Sequence, residues 1–569
     1  MTNIKRTFRV VLVSLICITI ASIAVLCWVP PVSRDALTHH LAVPKLWIAN
    51  HGMLELPHLP FSYYPMNLDL LYLIPLIFHN DILPKYIHFL FGLMTAYLIF
   101  RYLKPRLNTT YALTGALFFL STPIIIKLGT TAYVDLGLIF FTFSGILFFF
   151  KWMASAFRVK YIVYCGILCG LAVGTKYQGL IVLLLLSLSI VLVYIRSMPQ
   201  NGINQARALV FSGIFVLSAL LTFAPWMVRN TVWTGNPVHP LFKSLLSDSR
   251  PSQPAVSTLN HRSDTEPEGT PTKGKSWGHF NVRQYIYQET GWETLTTPIR
   301  IFFQGRDNDP RYFDGKLNPF LLLLPLMGFM GFRKDRVPIQ KEKLFLASFS
   351  FLYVMIVYLQ ADMRIRYVTP ILPPMVILSM FGLFNLKRLL QSGFSIKNRW
   401  VQSVILSLVM GTLFFLNSVY LVKQFSVVNP IPYILGKVDR NSYITRHRPE
   451  FAVINHANNY LPSNSRILAI FLGRRGYYSD REMIFDFSFM TKFVKVSDNP
   501  DHLYREFIKR DITHVLFRYD LFNQWINSNT LSDSERTVIK IFLDNYTELV
   551  YTELGHGLYR LVEASAHQP

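Results

Sequence analysis

FRVVLVSLICITIASIAVLCWVPPVSRDALTHHLAVPKLW, residues 8–47, joins the two kinds of sequence that decide the fold. Residues 8–29 form an apolar run of about 20 residues, which as a helix is long enough to cross a hydrocarbon core of roughly 30 Å. The stretch that follows, SRDALTHHLAVPKLW (33–47), holds a carboxylate, two adjacent histidines and a lysine, and it cannot itself cross a membrane. The pattern predicts a membrane span followed at once by a polar juxtamembrane helix.

The composition extends this pattern to the rest of the chain. Of the 569 residues, 51% are hydrophobic and 16% are charged, whereas an average soluble domain is about 25% charged. Apolar windows recur along the first three-quarters of the sequence. The sequence therefore predicts a polytopic α-helical membrane protein with about 11 transmembrane helices, at 8–29, 83–100, 111–127, 129–150, 161–175, 177–195, 206–228, 318–332, 344–360, 366–386 and 401–422.

The charge distribution predicts the orientation. The net charge of +23 is large enough to suggest nucleic-acid binding, but the loops on one side hold most of the basic excess and only two acidic residues, Asp335 and Glu342. That asymmetry follows the positive-inside rule and excludes a nucleic-acid footprint. We expect a cytoplasmic N-terminus and an uncleaved first span, because CWVPPVSRDA (27–36) offers no small-x-small cleavage site.

This topology places three long segments outside the cytoplasm. Two of them, 30–82 and 229–317, are outer loops of the membrane domain 1–423. The third, 424–569, is predicted to form a separate domain. Within the first loop, NLDLLYLIPLIFHN (67–80) is too short to span and predicts an interfacial or re-entrant helix. Residues 247–276 are rich in Ser, Pro, Thr and Gly and predict a disordered segment or mobile flap. Strand patterns at RILAIF, EMIFD, ITHVLF and HGLYRLV, with helical stretches near 449–460, 499–510 and 533–544, predict a small α/β domain.

Ionisable residues that are distant in the sequence fall at the same membrane face under this topology. They are Asp35, Asp135, Lys176, Arg229 and Arg366. Such residues within a membrane domain tend to line polar cavities or to lie at the boundary, because burial in lipid costs about 2.5–3.5 kcal/mol at a helix centre. Their shared side indicates a site that combines carboxylates with cations, suited to a phosphate-bearing substrate.

The first-loop residues have two readings. Asp35 and His39 lie four positions apart and share a helix face, so Asp35 is a candidate general base and His39 and His40 are candidate substrate contacts. The alternatives are a helix-boundary carboxylate and a metal-binding histidine pair. Adjacent histidines point about 100° apart on a helix, and no second ligand set has recognisable spacing. We therefore predict no metal and no cofactor.

The remaining candidates also have structural alternatives. Asp135 is either a second acidic site residue or the partner of a nearby Lys or Arg. Lys176 beside Tyr177, and Arg366 beside Tyr367, either bind substrate or extend to the membrane interface. Asn236, in TGNPVHP (234–240), either contributes to the site or forms a turn.

Several of these residues stand in motifs that resemble a known family. The chain is similar to polytopic GT-C glycosyltransferases, which include the protein O-mannosyltransferases and the lipid A aminoarabinose transferases. Asp35 stands where the family has a catalytic Asp in its first loop, although the sequence here is DALTHH, and Asp135 stands at the family's second acidic position. Lys176 in GLAVGTKYQGL (170–180) resembles the element that contacts the donor phosphate, and RYVTPILP (366–373) resembles a late family element. PWMVRNTVWTGNPVHPLF (225–242) resembles a stretch of unclassified bacterial members.

The resemblance implies transfer of a sugar from a polyprenyl-phosphate donor to an extracytoplasmic lipid, glycan or protein acceptor, with inversion. It also implies a multi-pass location in the cell membrane, in a bacterium the inner membrane, with the C-terminal domain outside. A transporter or lipid flippase is the main alternative, although the two related halves typical of transporters are not visible. An O-antigen ligase or polymerase and a structural scaffold are further alternatives.

Overall fold

The computed structural model describes residues 2–199, 202–242, 282–331, 335–360, 362–392, 399–485, 490, 494, 499–528 and 531–563. The segment predicted to be a flap, 247–276, lies outside these ranges. The described residues fall into two compact units. The first contains 2–28, 63–242 and 282–430, and the second contains 29–62 and 431–563. The division at residue 423 that the sequence suggests stays a prediction.

The first unit is a helical membrane domain, as predicted. Its described residues include eight helices that are long and apolar enough to cross a bilayer. They are Thr2–Cys27, Leu83–Arg106, Asp135–Ala154, Gly179–Ser197, Gly202–Thr234, Val337–Gln360, Leu372–Ser392 preceded by the 3₁₀ turn Ile365–Ile371, and Arg399–Val428. A ninth span is formed if Thr109–Ser121 and Pro123–Gly129, bent by 62°, are counted together.

The count of about eleven spans is not confirmed. Two predicted spans correspond to shorter helices, because Val159–Thr175 has 17 residues and Phe320–Gly328 has only 9. Asn67–Ile77, with 11 residues, is likewise too short to span, as its sequence predicts. Short helices also occur at Gly291–Leu295 and Thr297–Arg300.

Small residues allow close helix packing in this unit. A Cβ atom on Gly166 would lie 2.6 Å from the backbone oxygen of Phe215, so helix Val159–Thr175 approaches helix Gly202–Thr234 at backbone distance. Packing through small residues is typical of membrane helices, where apolar burial alone gives no driving force between helices.

The second unit contains a five-stranded mixed sheet. Its strands are β1 (Arg466–Ile470), β2 (Glu482–Ile484), β3 (His514–Arg518), β4 (Thr547–Glu553) and β5 (His556–Leu561), in the spatial order β2-β1-β3-β5-β4. β1 is parallel to β2 and β3, whereas β5 is antiparallel to β3 and β4. The α/β prediction is therefore confirmed, and β4 is a strand that the sequence patterns did not reveal.

Helices cover this sheet and supply its core. They are Arg440–His447, Glu450–Tyr460, Pro500–Ile508, Tyr519–Ile526 and Asp533–Tyr546, and the first-loop helices Ala36–His40 and Ala42–Ala49 belong to the same unit. Helix Asp533–Tyr546 begins with a capping box between Ser532 and Glu535, which satisfies backbone N–H groups that its first turn would leave unpaired. Trp525 is 1% exposed in the core beneath the sheet.

Candidate active site

An ion pair between Asp135 and Lys176 forms the centre of the candidate site in the first unit. Lys176 Nζ lies 2.7 Å from Asp135 Oδ1. The Asp135 side chain is 1% exposed and that of Lys176 is 20% exposed. The fold thus joins two sequence-predicted site residues that are 41 positions apart. Because Asp135 contacts a cation directly, it neutralises and orients Lys176.

Local geometry explains why Lys176 is available for this contact. Helix Val159–Thr175 ends immediately before Lys176, whose backbone is extended with φ −162° and ψ 139°. Gly179 begins the next helix, and a Cβ atom there would lie 2.5 Å from the backbone nitrogen of Val173. Glycine therefore permits the abrupt turn between the two helices, and the turn leaves the Lys176 side chain free of either helix.

His88, which the sequence patterns did not identify, holds the start of the Asp135 helix. It is fully buried, and its Nε2 accepts the backbone N–H of Leu136 at 2.9 Å. Its Nδ1 lies 2.9 Å from the carbonyl oxygen of Thr131, so the neutral ring carries its proton on Nδ1. The first N–H groups of a helix lack hydrogen-bond partners within the helix. His88 supplies such a partner for Leu136, and it thereby fixes the residue next to Asp135.

Arg366 and Tyr367 lie beside the ion pair. The Arg366 guanidinium is 5.7 Å from the ring of Tyr133 and 5.5 Å from that of Tyr367. Lys176 Nζ lies 5.7 Å from the same Tyr367 ring. The Tyr367 ring therefore lies close to two cations that are 190 positions apart in the sequence.

Asp314 and Lys127 extend this charged group, and neither was identified from the sequence. Lys127 Nζ lies 3.1 Å from Asp314 Oδ1, and Arg364 Nη1 lies 3.6 Å from Asp314 Oδ2. Burial raises the pKa of the Asp314 carboxyl, but Lys127, Arg366 and Arg364 lower it by more, so its pKa falls below the usual value. Asp314 is therefore ionised at neutral pH and lies among three cations. It comes from a loop without periodic sequence, so no pattern could have indicated it.

Arg229, Tyr177 and Asn236 form a separate group in the same unit. Arg229 Nη2 donates to the Tyr63 carbonyl oxygen at 2.7 Å, and its guanidinium lies 4.5 Å from the ring of Trp226. Asn230 Nδ2 lies 3.3 Å from the Tyr177 hydroxyl oxygen. Among the described residues, Arg229 Nη1 is buried and has no hydrogen-bond partner.

Asn236 makes local contacts in this group. Its Oδ1 accepts the backbone N–H of Val238 at 3.0 Å, and its Nδ2 donates to the Leu241 carbonyl oxygen at 2.8 Å. These bonds form the turn that the sequence TGNPVHP left open as an alternative.

The first-loop candidates lie in the second unit. Asp35 is buried and directly precedes the short helix Ala36–His40. The His39 ring stacks on Phe61 with centroids 4.7 Å apart, and on His40 with centroids 4.0 Å apart. Within the described part of the chain, no group of three or more His, Cys, Asp or Glu side chains is arranged to hold a metal ion.

The C-terminal part of the second unit holds the Asp35 segment in place. Lys45 Nζ donates to the carbonyl oxygens of Tyr477 and Ser479, at 3.0 and 2.8 Å, and pairs with Asp480 at 2.8 Å. The Tyr478 hydroxyl donates to the Pro31 carbonyl oxygen at 2.7 Å. These contacts lie on both sides of Asp35, so the C-terminal residues determine where the loop backbone lies.

Comparisons with known proteins agree with this architecture. Residues 59–235 match the family model described as dolichyl-phosphate-mannose-protein mannosyltransferase. The crystal structure of ArnT from Cupriavidus metallidurans in the apo state is similar over 97% of both chains, with a TM-score of 0.54 and 13% identity. The chain therefore has the fold of ArnT, a GT-C glycosyltransferase, and residues 59–235 match a glycosyltransferase family model. The family resemblance inferred from its motifs is therefore confirmed.

A second ArnT structure, from the same organism and bound to undecaprenyl phosphate, matches this chain with a TM-score of 0.53 and 13% identity. That match covers 97% of this chain and 98% of the other. A search of curated protein sequences found no match. The family match includes Asp135, Lys176, Tyr177 and Arg229, whereas Asp35 and Arg366 lie outside it.

Proposed function

We propose that this chain is a GT-C glycosyltransferase that moves a sugar from a polyprenyl-phosphate donor to an extracytoplasmic acceptor, with inversion at the anomeric carbon. The observation that carries the proposal is the meeting of Lys176 and Arg366, beside Asp135, around the ring of Tyr367. The relative bound to undecaprenyl phosphate supports a lipid-phosphate donor.

Lys176 and Arg366 bind the donor phosphate in this proposal. A planar guanidinium and a compact ammonium contact one phosphate group from different directions, so neither replaces the other. Asp135 then has two roles, one before and one after the donor binds. It holds Lys176 before the donor binds, and it competes with the phosphate for that cation. Arg229, Tyr177 and Asn236 contribute to substrate binding through the neighbouring group, where Arg229 Nη1 supplies a buried donor.

Asp35 acts as the general base, with His39 and His40 as substrate contacts. The acceptor hydroxyl oxygen attacks the anomeric carbon while the bond from that carbon to the phosphate oxygen breaks. The bond electrons leave with the polyprenyl phosphate, and the hydroxyl proton passes to the Asp35 carboxylate. The phosphate is a good leaving group and needs no general acid, so a single displacement inverts the anomeric configuration.

The proposed location is the bacterial inner membrane, with a cytoplasmic N-terminus and the C-terminal domain, residues 424–569, outside the cytoplasm. The basic excess of alternate loops supports this orientation. The acceptor is a lipid, a glycan or a protein, and the chemistry requires no cofactor.

Turnover of a synthetic polyprenyl-phosphate sugar by the purified full-length protein tests the proposal. We expect release of polyprenyl phosphate that depends on an added acceptor extract, and loss of about 10²–10⁴ in rate for Asp35→Asn. Donor binding by this variant should be unchanged, because the base does not hold the phosphate. Asp511→Asn, at an exposed position elsewhere in the same unit, serves as the control. Full activity of Asp35→Asn would reject Asp35 as the base, and failure to bind any polyprenyl-phosphate sugar would reject the proposed function.

A further inference from the structure

The second unit has a polar groove that the transfer reaction does not use. It has a volume of about 500 Å³ and is lined by Thr445, Ala452, Asn455, His456, Asn459, Tyr460, Tyr551 and Glu553. Ligand sites commonly measure about 300–1,000 Å³. The groove lies between helix Glu450–Tyr460 and the edge strand β4.

Three aromatic rings form a row in this groove. The rings of His456 and Tyr551 are parallel within 3°, with centroids 3.9 Å apart. Tyr460 lies next to His456, and the centroids of these two rings are 4.6 Å apart. Tyr460 is 73% exposed, which leaves a large aromatic surface in contact with solvent. The row of Tyr551, His456 and Tyr460 therefore offers a platform on which a ligand can stack.

The polar groups beside the platform are those that bind hydroxyl groups. Asn455 and Asn459 are one helical turn apart on the same face, and among the described residues neither side-chain amide has a hydrogen-bond partner. Each amide offers both donors and an acceptor. Glu553 Oε2 accepts the Tyr551 hydroxyl at 2.6 Å, and its remaining lone pairs can accept further hydroxyl groups.

We infer that this groove binds a neutral saccharide. The ring face carries a partial negative charge, which attracts the C–H groups on the flat side of a pyranose. The amides and the carboxylate then bind the hydroxyl groups at its edge. A neutral polar ligand is favoured over a cation, because the groove is lined by two amides and only one carboxylate. This binding site does not depend on the transfer chemistry, and it stands if the proposed function fails.

Saturation-transfer NMR on the full-length protein tests the inference. The protein is held in nanodiscs, because glycosidic detergents would themselves compete for the groove. The probes are methyl glucoside, methyl mannoside, methyl galactoside and their β-1,4-linked disaccharides, with choline as the cationic comparison. We expect a saturable signal from at least one neutral glycoside and a fall in affinity of about three- to tenfold for Tyr460→Ala.

Matched variants separate this groove from the active site. Asn459→Ala, also at an exposed position, should weaken the same probe. Tyr285→Ala removes an exposed tyrosine of the first unit and should change nothing. Lys176→Met should also keep the signal, because it lies in the other unit. The inference is overturned if no neutral glycoside binds, if choline alone binds, or if Lys176→Met abolishes the signal while Tyr460→Ala retains it.

Discussion

Replacing Lys176 by Met should destabilise the first unit by about 3 kcal/mol. The change keeps the length of the side chain but leaves the Asp135 carboxylate, which is 1% exposed, without the cation at 2.7 Å. Removing one partner of a buried ion pair costs about 3–5 kcal/mol, because the other charge stays buried and uncompensated. The lower end applies here, since Lys176 is 20% exposed and water can reach the vacated position. Asp135→Asn removes that penalty, so the double variant should recover most of the stability.

Thermal unfolding and donor affinity, measured on all three variants in nanodiscs, complete a double-mutant cycle. We expect a coupling energy of about 2 kcal/mol in stability. Donor affinity should fall for Lys176→Met, but it should hold or rise for Asp135→Asn, because the carboxylate no longer competes with phosphate. Lys343→Met is the matched control, since Lys343 forms another buried ion pair, 2.6 Å from Asp335, and should lose stability without losing donor affinity. Additive stabilities, or equal affinity losses for Lys176→Met and Lys343→Met, would refute the reasoning.

Three further predictions concern orientation, the first loop and pH. A reporter active only outside the cytoplasm should work when fused to the C-terminus and should be inactive after residue 338; the reverse result would place the site on the other side. Lys45→Met should lower the single-turnover rate about tenfold by displacing the Asp35 backbone, with donor affinity unchanged; equal rates for Lys45→Met and the exposed control Lys509→Met would contradict this. Burial, and to a smaller extent Arg560, lowers the pKa of His514 to about 4 in the folded protein. As the pH falls, this histidine is therefore protonated in the unfolded state before it is protonated in the folded state. Stability should therefore fall as pH drops from about 6.5 to 4. Hydrogen exchange of β3 should show this loss, and His514→Gln should reduce it.

The membrane spans could be predicted because a bilayer imposes length and apolarity on each helix separately. The exceptions have a common cause. Phe320–Gly328 lies in a window that looks like a span, yet its helix has 9 residues. Whether an apolar segment crosses or packs as a short helix depends on its neighbours, which hydropathy does not describe. The strand β4 was missed because most of its residues are exposed, so its sequence shows no apolar alternation.

The candidate site was predictable only in part. Asp135, Lys176 and Arg366 could be found because a charge beside an apolar run is rare and therefore conspicuous. Asp314 and His88 could not. Asp314 lies in an irregular loop, and His88 lies inside a helix, where nothing in the sequence indicates that its ring reaches another helix to accept the Leu136 N–H.

The sequence by itself determined that the chain lies in a membrane and which charged residues stand beside its apolar runs, because each is a property of a local stretch of residues. The tertiary structure decided which of those charges meet. Lys176 contacts Asp135 across 41 positions, and Lys45 holds the Asp35 loop through residues more than 430 positions away. Such pairings arise when helices pack and loops dock, and their energy depends on distances of a few ångströms that no local pattern encodes.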